Sequence, residues 1–453
     1  MSRPRWVDCR LPSALLLSAA LTAPLGAQEA VRLQEQFPAG YQYHVEVNSR
    51  LSGRFKQMNE KGEATGQPLA LSGESLLNYD ERILETGASG IPQKTLRLYR
   101  RIEMQKSDGQ QQVQIGIRPE VRRVVIARLK FKEVAFSPDG PLTAGEIDLI
   151  SNDVFTPALV GLFSPNPVKP GDRWPAARSA VEELTEVEEV NEGGIDCTFE
   201  KVETLANRRH AVVRVSGTVK GVDQDGPVRH QFDGTCYFDL ESRHLSYLSF
   251  KAVKWLLDAK GQENGRVEGQ WVITRQANCD PADLRPEALR GVSLEPTDDT
   301  TLIRYDNPDL GVQFLHPRRW RVAEAQGHVF VLEEPKGGGI QVTLEPPQRV
   351  PTAAQLLQEM QTAIVQKKGR LTGRDDPRRL RGAPQELDHF ALSAEMDGRR
   401  ALLDYYILRQ TVGGATAVAY LPATAEQAAL RKDAQRIMQS LTLTRAITEL
   451  KGK

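Results

Sequence analysis

The chain reads as an α+β protein, mostly antiparallel β, and three observations carry that expectation. From about Tyr41 to Gln276 apolar and polar residues alternate with period two, broken by turn residues. From Thr301 onward strand-like runs are interleaved with stretches of helical periodicity. Between them, Cys279 to Thr300 loses alternation and carries Pro281, Pro286, Pro296 and the acidic pair Asp298-Asp299, which is the composition of a joint between domains. The expected division is 1–27 as a leader, 28–278 as a β-rich domain, 279–300 as linker, 301–446 as a second domain and 447–453 as a tail.

The leader is read from its charge and length. Arg3, Arg5 and Arg10 precede an apolar run, Leu11 to Ala23, and small residues end at Gly26-Ala27. This is the three-part pattern of a secretory signal peptide. Cutting after Ala23 would place Pro24 behind the scissile bond, so cleavage between Ala27 and Gln28 is expected. The run is shorter than the roughly 18–20 apolar residues a span needs, and no later segment is long enough. The expectation is an exported protein of the periplasm or cell envelope, or one secreted further, with no transmembrane span after cleavage.

Within 28–278, Ala127, Leu129 and Phe131 alternate with Arg128, Lys130 and Lys132, and Val267, Gly269, Trp271 and Ile273 alternate with Arg266, Glu268, Gln270 and Thr274. Turn signals recur at Ser137-Pro138-Asp139-Gly140, Asn207-Arg208-Arg209 and Asp223-Gln224-Asp225-Gly226. One wet and one buried sheet face follow. Thr143 and Glu146 have the spacing of a capping box ahead of Ile147, Ile150 and Val154, so a helical stretch over about 144–163 is predicted, stopped or kinked at Pro157. A proline-rich joint near 164–175 follows. Cys197 and Cys236 each share a face with large apolar residues. A meander would place a strand between them, too far for a bridge, so free core thiols are expected.

Beyond the linker, strands are predicted at Leu302–Tyr305, Gly311–Leu315, Trp320–Val322, His328–Glu333, Ile340–Leu344, Gln385–Glu395, Arg400–Gln410 and Thr416–Tyr420. One helix opens at Thr352 with Leu356, Leu357, Met360 and Ile364 on one face. A last helix, opened by Thr424 and Gln427, carries Leu430, Ala434, Ile437 and Leu441 as a stripe. The run Tyr305-Asp306-Asn307-Pro308, Gly311, Phe314, Pro317 and Trp320, with the order of elements after it, resembles the PsbP/Mog1-like fold over about a third of the chain. That resemblance implies an α/β sandwich and an adaptor or accessory role. The N-terminal region, with Pro170-Gly171-Asp172-Arg173-Trp174, resembles uncharacterised exported bacterial β-rich domains. Its length and strand count are similar to a curved half-barrel of the LolA/LppX lipoprotein-carrier type, which implies an acyl or lipid ligand.

Chemistry is sparse. Lys+Arg and Asp+Glu both total 59, so no long-range field draws nucleic acid to the chain. None of the seven histidines stands in HxH or HExxH spacing or beside cysteine. His230 reads as part of a charged hairpin and His316 as a turn residue. Gly337-Gly338-Gly339 lies between strands and reads as a hairpin rather than a phosphate cradle. Asp223-Gln224-Asp225-Gly226 lacks the later Glu of a calcium loop. The acidic run Glu182 to Glu192 reads as a solvated strand or loop edge. Arg118, Arg122, Arg123, Arg128, Lys130 and Lys132 crowd one region. The plain reading is a wet strand face; the sharper one is a contact for an anionic partner through Arg128, Lys130 and Lys132. The expected function is therefore a non-catalytic envelope binding or interaction module, without cofactor or metal, whose partner is an envelope protein or a lipid. The rivals are a scaffold without ligand and a hydrolase whose site residues are dispersed.

Overall fold

The computed structural model describes residues 30–447 except 59–63, 89, 108–110, 130–131, 225, 383–384 and 397. The expected cleavage site at Ala27 and Gln28 lies outside the described residues. The fold is α+β and mostly antiparallel.

Six strands form a first meander: β1 (Gln42–Met58), β2 (Ala64–Thr86), β3 (Pro92–Ser107), β4 (Gln112–Gly116), β5 (Arg123–Leu129) and β6 (Lys132–Phe136). After a short strand, β7 (Leu142–Thr143), and β8 (Arg173–Pro175), a second meander follows. It comprises β9 (Glu189–Leu205), β10 (Arg208–Asp223), β11 (Gly226–Asp239), β12 (His244–Leu257) and β13 (Glu263–Ala277). All but β7 join one sheet, ordered β6-β5-β3-β2-β1-β13-β12-β11-β10-β9-β8, with β4 also on β3. The first and last long strands are thus neighbours at its centre, and β6 and β8 are its opposite edges.

The chain must therefore cross from one edge to the other, and it does so over the inner face. The crossing insert holds α1 (Ala144–Ser151) and a 3-10 segment, Thr156–Leu162. α2 (Arg178–Thr185) follows β8. Thr143 and Glu146 form the reciprocal capping box the sequence predicts, and the single predicted helix is broken at Asn152 to Phe155. Phe155, Leu159, Leu162 and Phe163 share one core with Val124 and Ile126 of β5 and with Val213 and Phe238 of the second meander. α2 packs on β9 while its Glu183 reaches Arg128 of β5 at 3.2 Å. In a flat sheet those strands would lie about 38 Å apart, whereas an eight-residue helix is only about 12 Å long. The sheet is therefore curled into a trough around the insert.

Two buried arginines fix this arrangement. Arg97 of β3, only 2% exposed, donates to Glu81 of β2 at 2.9 Å and to Asp153 of the insert at 2.8 Å. Glu81 also accepts from Tyr43 and Thr95. At one end of the trough Arg275 meets Glu35 through both its terminal nitrogens, at 3.0 and 2.8 Å, tying the segment before β1 beneath β13. Cys197 and Cys236 are free and buried on β9 and β11, with β10 between them.

The remaining chain forms β14 (Ile303–Asn307), β15 (Val312–His316), β16 (Arg321–Gln326), β17 (Val329–Glu333), β18 (Gly339–Glu345), α3 (Ala353–Gln366), β19 (Arg370–Arg379), β20 (Glu386–Met396), β21 (Arg399–Gln410), β22 (Gly413–Pro422), α4 (Gln427–Ser440) and β23 (Thr442–Leu443). Seven strands, β16-β17-β18-β22-β21-β20-β19, make an antiparallel sheet. α4 covers one face with Trp320, Ile340 and Val342, and α3 covers the other with Phe390, Leu392 and Tyr405. The Gly337 turn is the hairpin the sequence predicts, closed from Glu334 N–H to Gly338 O.

Several expectations are corrected. β19 is not among the predicted strands because its charged face and Pro377 remove apolar alternation; it forms as an edge strand, where both are tolerated. α4 starts after Glu426 without a side-chain cap, so Thr424 is not its capping residue. The acidic run begins in α2, not in a strand or loop. The stretch 279–300 is also fastened down: Leu284 is fully buried against Leu96, Val125 and Phe136 on the sheet's outer face, and Glu295 meets Lys94 at 2.5 Å.

Arg97→Met would leave Glu81 and Asp153 buried without their cation. Breaking a buried pair in this way costs about 3–5 kcal/mol, so urea unfolding of this variant should show a loss of that size. A loss below about 1 kcal/mol would mean the guanidinium does not hold the insert.

Candidate functional site

The insert does not fill the trough to its end. Burial along the inner face of β1 makes this plain: Tyr43, Val45 and Val47 are buried, whereas Leu51 and Phe55 are only half-buried. The space beyond is a cleft of about 430 Å³, within the range of about 300–1,000 Å³ of small-ligand sites. Its roof is Asn152, Val154 and residues 183–186 at the end of α2; its floor comes from β1, β2 and β11 to β13.

The floor is an aromatic row built across three strands. Phe232 of β11 lies 5.7 Å from Phe250 of β12, and Phe250 stacks on Trp271 of β13 at 4.9 Å and 8°. Neighbouring strands put these side chains within cross-strand contact. Gly269 makes room for the row: a Cβ there would lie 2.2 Å from the Trp271 ring and 2.6 Å from Leu51. Leu51, Phe55, Leu71, Ala252, Leu256 and Val267 complete an apolar lining.

Polar residues, among them Glu74, Lys106, Glu183, Glu186, His230 and Lys254, share the lining. His230, 5% exposed, stacks on Phe232, and its Nε2 is buried without a hydrogen-bond partner. Burial, with Lys254 nearby, pushes its pKa down to about 4, so the ring is neutral near pH 7. Lys254 is paired with Asp223 at 2.5 Å. Glu183 accepts from the Phe155 N–H at 2.6 Å and from Arg128 at 3.2 Å. Its carboxyl is pushed up to about 7, mainly by burial, with Arg128 pulling against it.

The structure relocates several residues that the sequence singles out. Arg128 lies on the inner face with Val124 and Ile126; it pairs with Glu183 and covers the Phe155 ring at 4.4 Å. Leu129 is the exposed neighbour, at 53%. Lys130 lies outside the described residues, and so does the Lys132 side chain. Arg128 is thus an inner-face residue engaged by Glu183. Arg118 and Arg123 are likewise paired, with Glu146 and Asp139. His230 lies in the β10–β11 hairpin and His316 directly before the turn after β15, as expected, but both are buried rather than on the surface. For His230 the signal was present: two residues before Phe232, it shares that residue's face.

Among the described residues no group of three or more His, Cys, Asp or Glu could hold a metal ion. His389 pairs with Asp404 at 3.1 Å, but Arg431 holds the same carboxylate at 2.9 Å, and no hydroxyl or thiol joins His389 in a hydrogen bond among the described residues. The pair packs β20, β21 and α4 together. No helix of the described residues is long and apolar enough to cross a membrane.

No protein-family model matches the chain, and no curated protein matches it. Solved structures similar to it include the cyanobacterial PsbP of Synechocystis, at 17% identity over 31% of this chain and 92% of that one, with a TM-score of 0.24. MucB in complex with periplasmic MucA is similar at 11% identity over 89% of this chain and 94% of that one, TM-score 0.15. DynF from Micromonospora chersina is similar at 8% identity over 60% and 96%, TM-score 0.16. The PsbP likeness is weak, and overlaps of this depth bear no argument about function.

Glu183 sets a pH signature. Its folded carboxyl holds a proton that the unfolded chain, near 4.5, gives up. That contribution is fully present below about 4.5 and is lost as pH rises through about 7. His230 and His244, both pushed down to about 4 from 6.5, act in the opposite sense over that lower window. The difference between Glu183→Gln and wild type isolates the glutamate. The variant should match wild type near pH 4.5 and be more stable above pH 7 by on the order of 3 kcal/mol, read by thermal or urea unfolding. A difference that does not change with pH would refute the assignment.

Proposed function

We propose that this chain is a non-catalytic protein of the cell envelope that holds an apolar or acyl-chain ligand in the cleft of its curled sheet. The observation that carries the reading is the incomplete filling of the trough. A connection long enough to roof the whole inner face stops short, and the uncovered part is lined by aromatic and aliphatic side chains on a shared surface. Closed monomers seldom leave such an apolar patch uncovered without using it. An alkyl chain laid along Phe232, Phe250 and Trp271 would gain about 0.8 kcal/mol for each methylene removed from water, before ordering costs.

Export to the envelope is supported by the leader pattern before Gln28. The aromatic and aliphatic floor of the cleft supports a binding role. The C-terminal sandwich is filled on both faces by apolar cores, which suits an accessory role for that unit.

Titration with an environment-sensitive apolar dye tests the reading. Ala252 sits on the cleft floor opposite Phe232, so Ala252→Trp would occupy the space itself. Wild type should bind the dye saturably, and the variant, with unchanged circular dichroism, should bind at least about tenfold more weakly, the effect of roughly two lost methylene burials. Equal binding by both proteins, or none by wild type, would sink the proposal.

A further inference from the structure

The floor of the cleft is charged at one wall and aromatic at the other, and a single rung of the sheet carries the change. Paired backbone positions set Lys106 of β3, Gly73 of β2, Leu51 of β1, Gly269 of β13, Ala252 of β12 and Phe232 of β11 side by side. All six line the cleft. Six strands about 4.8 Å apart span roughly 24 Å before curling, which suits a long alkyl chain better than a compact molecule. The rung is low next to its charged end. A Cβ on Gly73 would meet only the Gln105 carbonyl oxygen, at 3.5 Å, so the backbone there is open to an occupant.

Lys106 shares its face with Ile102 and Met104, is exposed, and makes no ion pair among the described residues. The other charges of the lining are engaged or stand elsewhere. Asp223 holds Lys254 at 2.5 Å, and Arg128 holds Glu183. Glu74 has the parity of the outer face, where it pairs with Arg50 at 3.3 Å. Glu186 ends α2 beside β10, where the Glu188 N–H donates to the Val222 carbonyl. Resting on the reading of the cleft as an apolar ligand site, we propose that its ligand is a single-chain fatty acid whose carboxylate meets Lys106 above Gly73 while its chain crosses the rung to the Phe232–Phe250–Trp271 row. One free cation matches one negative charge. Because Lys106 is reached by solvent, the head stays hydrated and only the chain is buried, which avoids the cost of a buried charge.

Displacement of the apolar dye at pH 7.5 by dodecanoate, 1-dodecanol and dodecylamine tests the head alone, since the three share one chain length. Wild type should bind dodecanoate at least about fivefold more tightly than dodecylamine, the upper end for one exposed ion pair. Lys106→Gln should weaken dodecanoate by about fivefold and leave 1-dodecanol within about twofold. Lys106→Glu should reverse the order of the two ions. A wild type without preference for dodecanoate over dodecylamine would overturn the carboxylate assignment, with 1-dodecanol binding still marking an apolar cleft. So would a Lys106→Gln variant that keeps its dodecanoate affinity, or one that loses both probes equally. Failure of wild type to bind the dye would remove the cleft reading itself. Lys106 is exposed, so both variants should fold, and circular dichroism melts establish that they do.

Discussion

Arg97 links the sheet to the insert at a buried point where the two layers would otherwise meet only through apolar side chains. Glu81 belongs to the sheet and Asp153 to the insert, and the guanidinium lies between them at 2.9 and 2.8 Å. Each ion loses its hydration on burial, a cost of several kcal/mol that only near-complete pairing offsets. The pairing here approaches that: Thr95 and Tyr43 complete Glu81, and the Tyr79 ring lies 4.6 Å from the guanidinium carbon. Apolar packing alone would tolerate the insert sliding along a greasy trough. A charge that is satisfied at one position only does not. The curl of the sheet, the closure of its inner face and the place where that closure stops all follow from where Asp153 is held.

Asp153 also stands at the break between α1 and the 3-10 segment. From that point Phe155, Leu159 and Leu162 run toward the filled end, where Phe163 packs edge-on against Phe238 at 4.9 Å. On the other side only Asn152, Val154 and the end of α2 project over the sheet. Filled core and open cleft are therefore two ends of one surface, divided by the anchored residue. Gly269 belongs to the same economy of space. Any side chain there would push Trp271 off Phe250, and the aromatic row would rise into the cleft.

Much of this was legible in the sequence, because period-two alternation and turn residues report local backbone directly. The long strands, the capping box at Thr143, the hairpin at Gly337 and the separated thiols were all readable in that way. The C-terminal order of elements was too, since Trp320 and the stripe on α4 face one core. What failed was parity and context. Arg128 was assigned to the wet face with Lys130 and Lys132, but Val124 and Ile126 fix the opposite parity, and Glu183 arrives from a helix 55 residues away. Glu183 itself sat in an acidic run whose helix is eight residues long and too short for a periodic signal. β19 carries arginines and aspartates outward on an edge, so its sequence has the polarity of a loop. Long-range pairing of charges decides such positions, and no local window contains it.

The two units of the protein are joined through the same insert. β7 ends at Thr143, the capping residue of α1, and pairs in parallel with β14 through Leu142 and Ile303. Arg318, beside the β15 turn, donates to the carbonyls of Thr301 and of Ala135 on β6. The segment between the sheets is bound to the outer face by Leu284 and Glu295, so slack there cannot absorb movement. The roof of the cleft thus runs without interruption into β7, which extends the β14–β15 hairpin, eleven residues from Asp153 back to Leu142. A ligand that lifts Val154 or the end of α2 must work against Arg97 on one side of that segment and against the β7–β14 pairing on the other. The roof is therefore anchored at both ends, whereas the rim at Leu51, Phe55 and Leu71 is only partly buried.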